Sequence, residues 1–107
     1  MKLILAIVNN DDAHSVSTGL SSEGFLVTKI SSTGGFLMSG NSTFLIGVED
    51  NQVEQATAII AAHSKKREQT VPFPMAGNTF GGHVPTGKVT VGGATLFVLH
   101  VEECRHL

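Results

Sequence analysis

Three short runs of the sequence, residues 3–8, 44–48 and 96–101, are apolar at almost every position. A strand with one face in water alternates apolar and polar residues, whereas a strand covered on both faces is apolar throughout. The runs therefore predict strands in the middle of a sheet that has both faces covered. A chain of 107 residues has room for one such core, and we interpret residues 1–107 as a single domain.

The segments between these runs predict two helices. The first should lie between Asp11 and Asp12, which we interpret as its N-terminal cap, and Gly24, which suits its C-terminal end. The second should begin at a capping-box pattern over residues 51–54 and end near Ser64. Apolar residues recur at helical spacing in both segments, so each helix should pack one face on the sheet.

The order of the predicted elements is strand, helix, strand, strand, helix, strand. Two of these strands are expected over residues 25–31 and 42–48, and extra short strands over residues 70–73 and 88–91. This order is the α+β ferredoxin-like (βαββαβ) plan. Residues 74–87 contain two prolines and four glycines, and they predict a long flexible loop.

Two helices can cover only one face of such a sheet. The second face would then expose an apolar patch on the order of several hundred Å², which is unusual for a monomeric protein. The simplest cover is another copy of the same chain. The sequence therefore predicts a homo-oligomer.

The glycine-rich segment from residue 31 to residue 48 is the predicted binding site. Gly34 and Gly35 allow positive φ, so that consecutive backbone N–H groups can form a concave anion site. Phe36 and Asn41 add a stacking ring and an amide. A simple hairpin connection is the alternative interpretation, and an ATP-hydrolysing P-loop is excluded because the Gly-Lys-Ser/Thr ending is absent.

Composition limits the partners and the location. The net charge of −2 gives no basic footprint for DNA or for a membrane surface. Cys104 is the only cysteine, so no intramolecular disulfide can form, and a reducing compartment is expected. The first apolar run is too short to span a bilayer. We therefore expect a cytoplasmic protein.

No motif predicts a metal site or a catalytic centre. Cys104 and His106 are the only close pair of soft ligands, and we interpret them as tail residues. His63 is interpreted as a packed histidine, and residues 65–67 as solvated cations at a helix C-terminus. No nucleophile elbow is present. We therefore expect neither a cofactor nor enzymatic activity.

Four blocks of the sequence resemble the PII-like cyclic di-AMP receptor proteins of Gram-positive bacteria, the PstA or DarA type. The blocks are MKLILAIV at the start, TKISSTGGFLMSGNSTFLIGVED at residues 28–50, REQ at 67–69 and VGGATLFV at 91–98. The resemblance implies a PII-like sandwich that assembles as a homotrimer and transduces a signal to a downstream protein that the sequence does not identify. It also implies one cyclic di-AMP in each of three clefts between subunits.

The resemblance further implies which residues line each cleft. Phe97 is expected from the neighbouring subunit, and the residues of the first subunit are Thr28, Gly35, Phe36, Leu37, Asn41 and Gly47. The chain departs from the family pattern at three positions. Gly24 stands where the pattern has an asparagine, and Leu26 and Met38 stand where it has arginines.

Three other interpretations remain open at this point. The same fold could sense another small ligand, such as an ATP-type nucleotide. A small ferredoxin-like enzyme of the acylphosphatase kind would need an arginine in a phosphate cradle, and Arg67 and Arg105 are far from the glycine-rich segment in sequence. A purely structural trimer, or a metal-tolerance protein of the CutA type, is the third interpretation.

Overall fold

The computed structural model describes residues 1–30, 40–72 and 86–107. Its main sheet has four antiparallel strands in the order β2-β3-β1-β6, and two helices connect them. A separate two-stranded sheet pairs β4 with β5. The elements in chain order are β1 (Lys2–Asn9), α1 (Asn10–Ser22), β2 (Val27–Ile30), β3 (Asn41–Val48), α2 (Val53–His63), β4 (Arg67–Pro72), β5 (Thr86–Val91) and β6 (Ala94–His100).

The main sheet and the two helices form the βαββαβ arrangement in the order β1, α1, β2, β3, α2, β6. The sequence-based prediction of an α+β, ferredoxin-like fold is therefore confirmed. The fully buried core lies between the sheet and the helices. It is formed by apolar residues on one sheet face, such as Ile4 and Ile46, and by apolar residues of both helices, such as Leu20 and Ile60.

The first helix begins at Asn10, two or three residues earlier than the sequence pattern indicated. Asn9 is its N-terminal cap, and the Asn9 side-chain oxygen accepts a hydrogen bond of 2.8 Å from the Asp11 backbone N–H. The prediction that Asp11 and Asp12 form the cap was therefore wrong, because Asn9 provides the capping oxygen and both acidic residues lie inside the first turn. Gly24 follows the end of the helix with φ of +88°, as its predicted role requires.

The second helix is entered through a single turn of 3-10 helix, Asp50–Gln52. Its capping box joins Glu49 and Gln52, and the Gln52 side chain accepts a hydrogen bond of 2.9 Å from the Glu49 backbone N–H. The predicted box of Asn51 and Glu54 was therefore wrong by two residues. Glu49–Gln52 and Asn51–Glu54 both have the three-residue spacing of a capping box, and the sequence alone did not distinguish them.

The extra strands form a hairpin of their own outside the main sheet. β4 begins at Arg67, three residues earlier than predicted, and β5 begins at Thr86, inside the segment predicted to be a loop. Pro72 is the last residue of β4 and pairs with Thr86. The remainder of that predicted loop, residues 74–85, lies outside the described residues. Across residues 1–30, 40–72 and 86–107, no helix is long and apolar enough to cross a membrane.

Alanine substitutions at Gly92, directly after the hairpin, and at Gly24, just after α1, test how closely the hairpin end packs against the rest of the chain. Both have a positive φ, but only Gly92 is crowded: a Cβ there would clash with the Lys65 carbonyl oxygen, whereas nothing lies within 4 Å at Gly24. We expect Gly24→Ala to lower the free energy of unfolding by about 1–2 kcal/mol through backbone strain alone. Gly92→Ala should cost about 1–3 kcal/mol more because of overpacking.

Urea denaturation of the two variants measures this difference directly. Equal losses of stability would show that the turn at Gly92 relaxes freely, contrary to the close contact with the Lys65 carbonyl.

Candidate functional site

The main sheet has one face that neither helix covers, which we call the open face. Along β1, residues 4, 6 and 8 are buried against the helices, whereas residues 3, 5 and 7 point the other way and are only half-buried. The strand register extends this face across the whole sheet. Its apolar members are Leu3, Leu5, Ile7, Ile30, Leu45, Phe97 and Leu99.

One row of paired residues on the open face crosses all four strands: Thr28, Leu45, Leu5 and Phe97. Thr28 lies on the edge strand β2, and Phe97 lies on the opposite edge strand β6. Three strand spacings separate them, which amounts to about 14 Å. Thr28 is exposed, and Phe97 is 45% exposed. Within one protomer, these two residues therefore mark opposite edges of the sheet.

Gly47 lies in the next row of the open face. It pairs with Leu3 of β1 on one side, and no residue of β2 pairs with it on the other. Nothing lies within 4 Å of the position that its Cβ would occupy, and its φ is not positive. Glycine weakens a strand interior, and it commonly marks a place where another group approaches closely. The described part of the protomer gives no steric reason for glycine here, so the reason is to be sought in a ligand or a neighbouring molecule.

Asn41 lies at the other end of β3, six residues from Gly47, or about 20 Å along the strand. Two hydrogen bonds fix this end of β3 against the start of α1. The Asn10 backbone N–H donates to the Gly40 carbonyl at 2.7 Å, and the Ser42 hydroxyl donates to the Asn10 side-chain oxygen. Asn41 is held between these two anchors, directly opposite Asn9, with an exposed side chain.

A pocket of about 370 Å³ opens beside Asn41, and we call it the strand-end pocket. Its size is in the range typical of small-molecule sites. Apolar Ile7 forms part of its wall, and the polar or backbone groups around it come from Asn9, Asn41, Lys66, Thr90, Gly92 and Thr95. Lys66 is the one charged residue among the described residues that line it. The strand-end pocket thus combines amide, hydroxyl and ammonium groups.

The wall of the pocket formed by Gly92 and Gly93 is fixed by the junction between α2 and β4. The Gly93 backbone N–H donates a hydrogen bond to the Ser64 carbonyl at the end of α2. Both glycines have positive φ, of +86° and +76°. This turn brings β6 back beside β1 directly after the hairpin, and so places Thr95 in the pocket.

An ion pair between Arg67 and Asp12 anchors the hairpin to α1. Two nitrogens of the Arg67 guanidinium lie 3.2 Å and 3.3 Å from the two carboxylate oxygens of Asp12, and one of them also donates to the Lys65 carbonyl at 3.1 Å. The Asp12 carboxylate is nearly buried, so the pair satisfies a charge that would otherwise be costly. The prediction that residues 65–67 are solvated cations is therefore incomplete for Arg67, whose side chain is 43% exposed and also forms this ion pair.

The remaining polar groups lie away from the strand-end pocket. The Ser15 hydroxyl and His63 Nδ1 are 2.8 Å apart, and the imidazole packs against Gly19 between the helices. At the far end of β3, the hydrogen bond and charge of the N-terminal ammonium group, 3.0 Å away, lower the pKa of Asp50. No group of three or more potential metal ligands occurs within the described part of the chain.

Comparison with known proteins identifies the family. The model of the cyclic-di-AMP receptor family matches residues 1–107, which is the whole chain. The chain belongs to this receptor family. A crystal structure of a functionally unknown protein from Pediococcus pentosaceus ATCC 25745 is similar, with 39% sequence identity and a TM-score of 0.73. The match covers 99% of this chain and 96% of that one. The resemblance inferred from the sequence blocks is therefore confirmed.

Four of the sequence-predicted residues of this receptor-family chain, Thr28, Gly47, Phe97 and Asn41, lie on the open face. Asn41 also lines the strand-end pocket, which lies at one end of that face beside Ile7. The other three predicted residues, Gly35, Phe36 and Leu37, lie outside the described residues. In a single protomer the four described positions do not surround one cleft. Lys66 was not predicted as a pocket residue, because no local pattern shows that it lies beside Gly93 and lines the same pocket as Asn41.

The open space at Gly47 leads to a prediction about folding. We expect Gly47→Val to leave the free energy of unfolding unchanged or to raise it by up to about 1 kcal/mol, because valine favours strands and meets no neighbour in the protomer. Gly19→Val is the matched control and should destabilise strongly, since its Cβ would lie 2.7 Å from the His63 ring. Chemical denaturation measures both, and a large loss for Gly47→Val would mean that the space beside it is filled in solution.

Proposed function

We propose that the chain is a non-enzymatic, PII-like signal-transduction protein of the cytoplasm that binds cyclic di-AMP in clefts between the subunits of a homotrimer. The match of the family model to the whole chain is the observation that carries this proposal. A receptor family implies binding rather than catalysis. The geometry of the open face and of the strand-end pocket supports the finer parts of the proposal.

The open face supports the assembly. Half-buried and exposed apolar side chains lie on all four strands of this face, and no described helix packs against it. Leu99 and Phe97 are 47% and 45% exposed in the protomer. Burial of such a face against other copies would remove this apolar surface from water. We propose three copies arranged head to tail in a closed ring.

The positions of Thr28 and Phe97 support a site shared between subunits. They lie in the same row but on the two opposite edge strands of the sheet. A head-to-tail ring brings one edge of each copy toward the other edge of the next. Thr28 of one subunit and Phe97 of its neighbour would then face one cleft. The threonine supplies a hydrogen-bonding hydroxyl, and the phenylalanine supplies a ring for an adenine.

The alternative of an acylphosphatase-type enzyme is disfavoured by the arginines. Arg67 is paired with Asp12, and the Arg105 guanidinium lies 2.8 Å from Glu103. Each guanidinium therefore has a carboxylate partner within the chain. A receptor for another nucleotide, such as ATP, is favoured by one observation: Leu26, where the family pattern has an arginine, is 85% exposed and offers no charge to a phosphate.

The assembly is tested with two neighbouring residues of β6 that are equally exposed but lie on opposite faces. Light scattering of the wild type should give three times the chain mass of 11.2 kDa. Leu99→Asp, on the open face, should shift the mass to the monomer, because it would bury unpaired charges. Val98→Asp, 46% exposed on the other face, should leave the trimer intact. A monomeric wild type would end this proposal, and equal behaviour of the two variants would contradict the role of the open face.

The ligand is tested by calorimetric titration of the wild type with cyclic di-AMP, cyclic di-GMP and ATP. Cyclic di-AMP should bind most tightly. Asn41→Ala should weaken it by about 1–3 kcal/mol, because a polar group of the ligand would lose its partner. Asn51→Ala, which changes an exposed asparagine in the 3-10 turn, is the control and should bind as the wild type does. Tighter binding of ATP than of cyclic di-AMP would replace the proposed ligand by the alternative.

A further inference from the structure

We propose that Lys66 holds a phosphate group of the bound nucleotide in the strand-end pocket, beside Asn41. This inference rests on the proposed function, since it assigns a phosphate contact within the receptor's nucleotide site. Lys66 lies in the short connection between α2 and β4, outside the predicted glycine-rich segment. It lines the same pocket as Asn41, Thr90 and Thr95.

The fold makes a specific place for the Lys66 side chain. A Cβ added at Gly93 would lie 3.0 Å from Lys66 Cγ and 3.2 Å from Lys66 Cε. The side chain of any other residue at position 93 would therefore crowd the lysine stem. Gly93 itself is held by the hydrogen bond from its N–H to the Ser64 carbonyl. Packing of the apolar stem against backbone is the usual way in which a lysine is oriented while its ammonium group stays accessible.

Among the described residues, the charge of Lys66 forms no ion pair. All nine acidic side chains of the chain lie among the described residues. The ion pairs that the described residues form involve Met1, Arg67 and Arg105, and Lys66 is in none of them. The neighbouring Arg67 is neutralised by Asp12 at 3.2 Å. Of these two adjacent cations, Lys66 is therefore the one whose charge is available to a ligand.

The chemistry of the pocket favours an anion that also accepts hydrogen bonds. Amide and hydroxyl side chains line the same pocket as Lys66, and no carboxylate lines it among the described residues. Lysine binds phosphate as a compact point charge with three donors. The chain as a whole carries a net charge of −2, so an anionic nucleotide gains no general attraction and needs a local cation.

The test compares Lys66→Gln with Lys65→Gln by calorimetric titration with cyclic di-AMP at low and high salt. Both variants remove one positive charge from adjacent positions and keep most of the side-chain stem. We expect Lys66→Gln to weaken binding about tenfold at low salt and to reduce the salt dependence of the affinity. Lys65→Gln, whose position does not line the strand-end pocket, should bind as the wild type does. Lys66→Arg should retain most of the affinity, because it keeps the charge.

The outcomes separate this inference from the proposed function. Equal affinity of Lys66→Gln and the wild type for cyclic di-AMP would overturn the role of Lys66 and leave the proposed ligand in place. If the wild type does not bind cyclic di-AMP, the proposed ligand is wrong, and ATP titrations of the same proteins decide about Lys66. Weaker ATP binding by Lys66→Gln alone would support the phosphate contact, and unchanged binding would overturn it. A wild type that binds neither nucleotide would overturn both proposals.

Discussion

The difference between the two faces of one four-stranded sheet determines most of the rest of this structure. The helices cover the face that carries Ile4 and Ile46, and those residues are completely buried. The opposite face, with Leu5 and Leu99, has no described helix against it. Apolar side chains on such a face gain free energy when another surface removes them from water, at about 25 cal/mol per Å². The fold therefore supplies a ready surface for assembly, and the edges of that surface carry Thr28 and Phe97.

The sequence predicted the elements that depend on hydrophobic periodicity and missed the contacts that depend on distant residues. The three apolar runs lie in strands of the main sheet except for Val101, which follows β6, and the βαββαβ order followed from them. The caps were misassigned, because Asn9 and Glu49 compete locally with neighbours that are also good capping residues. The hairpin strand β4 begins earlier than its β-branched residues suggested. Arg67 at its start is fixed by Asp12, which is 55 residues away in sequence and therefore invisible to any local pattern.

The candidate site was predictable in part, for a related reason. Asn41, Thr28 and Gly47 belong to the sequence block that resembles the receptor family, so the resemblance named them without a structure. Their separation along the open face, with Asn41 at the strand-end pocket and Gly47 near the other end of β3, follows only from the strand register. One departure from the family pattern also becomes understandable. Gly24 adopts a φ of +88° directly after α1, and asparagine is the other residue that commonly takes this conformation, so the substitution preserves the backbone.

Adjacent Lys66 and Arg67 show how tertiary contacts give two similar residues different roles. Both follow α2, where cations interact favourably with the helix dipole, and the sequence gives no reason to separate them. The turn at Gly92 and Gly93 separates them. The Lys65 carbonyl and the Arg67 guanidinium lie beside Gly92, whereas the Lys66 stem lies beside Gly93. Arg67 then satisfies the buried Asp12 carboxylate and stabilises the fold, whereas Lys66 takes part in no ion pair within the described part of the chain. Packing alone thus leaves the positive charge of Lys66 beside hydrogen-bonding groups, in a chain whose net charge is negative. A site for a nucleotide phosphate requires such a local positive charge.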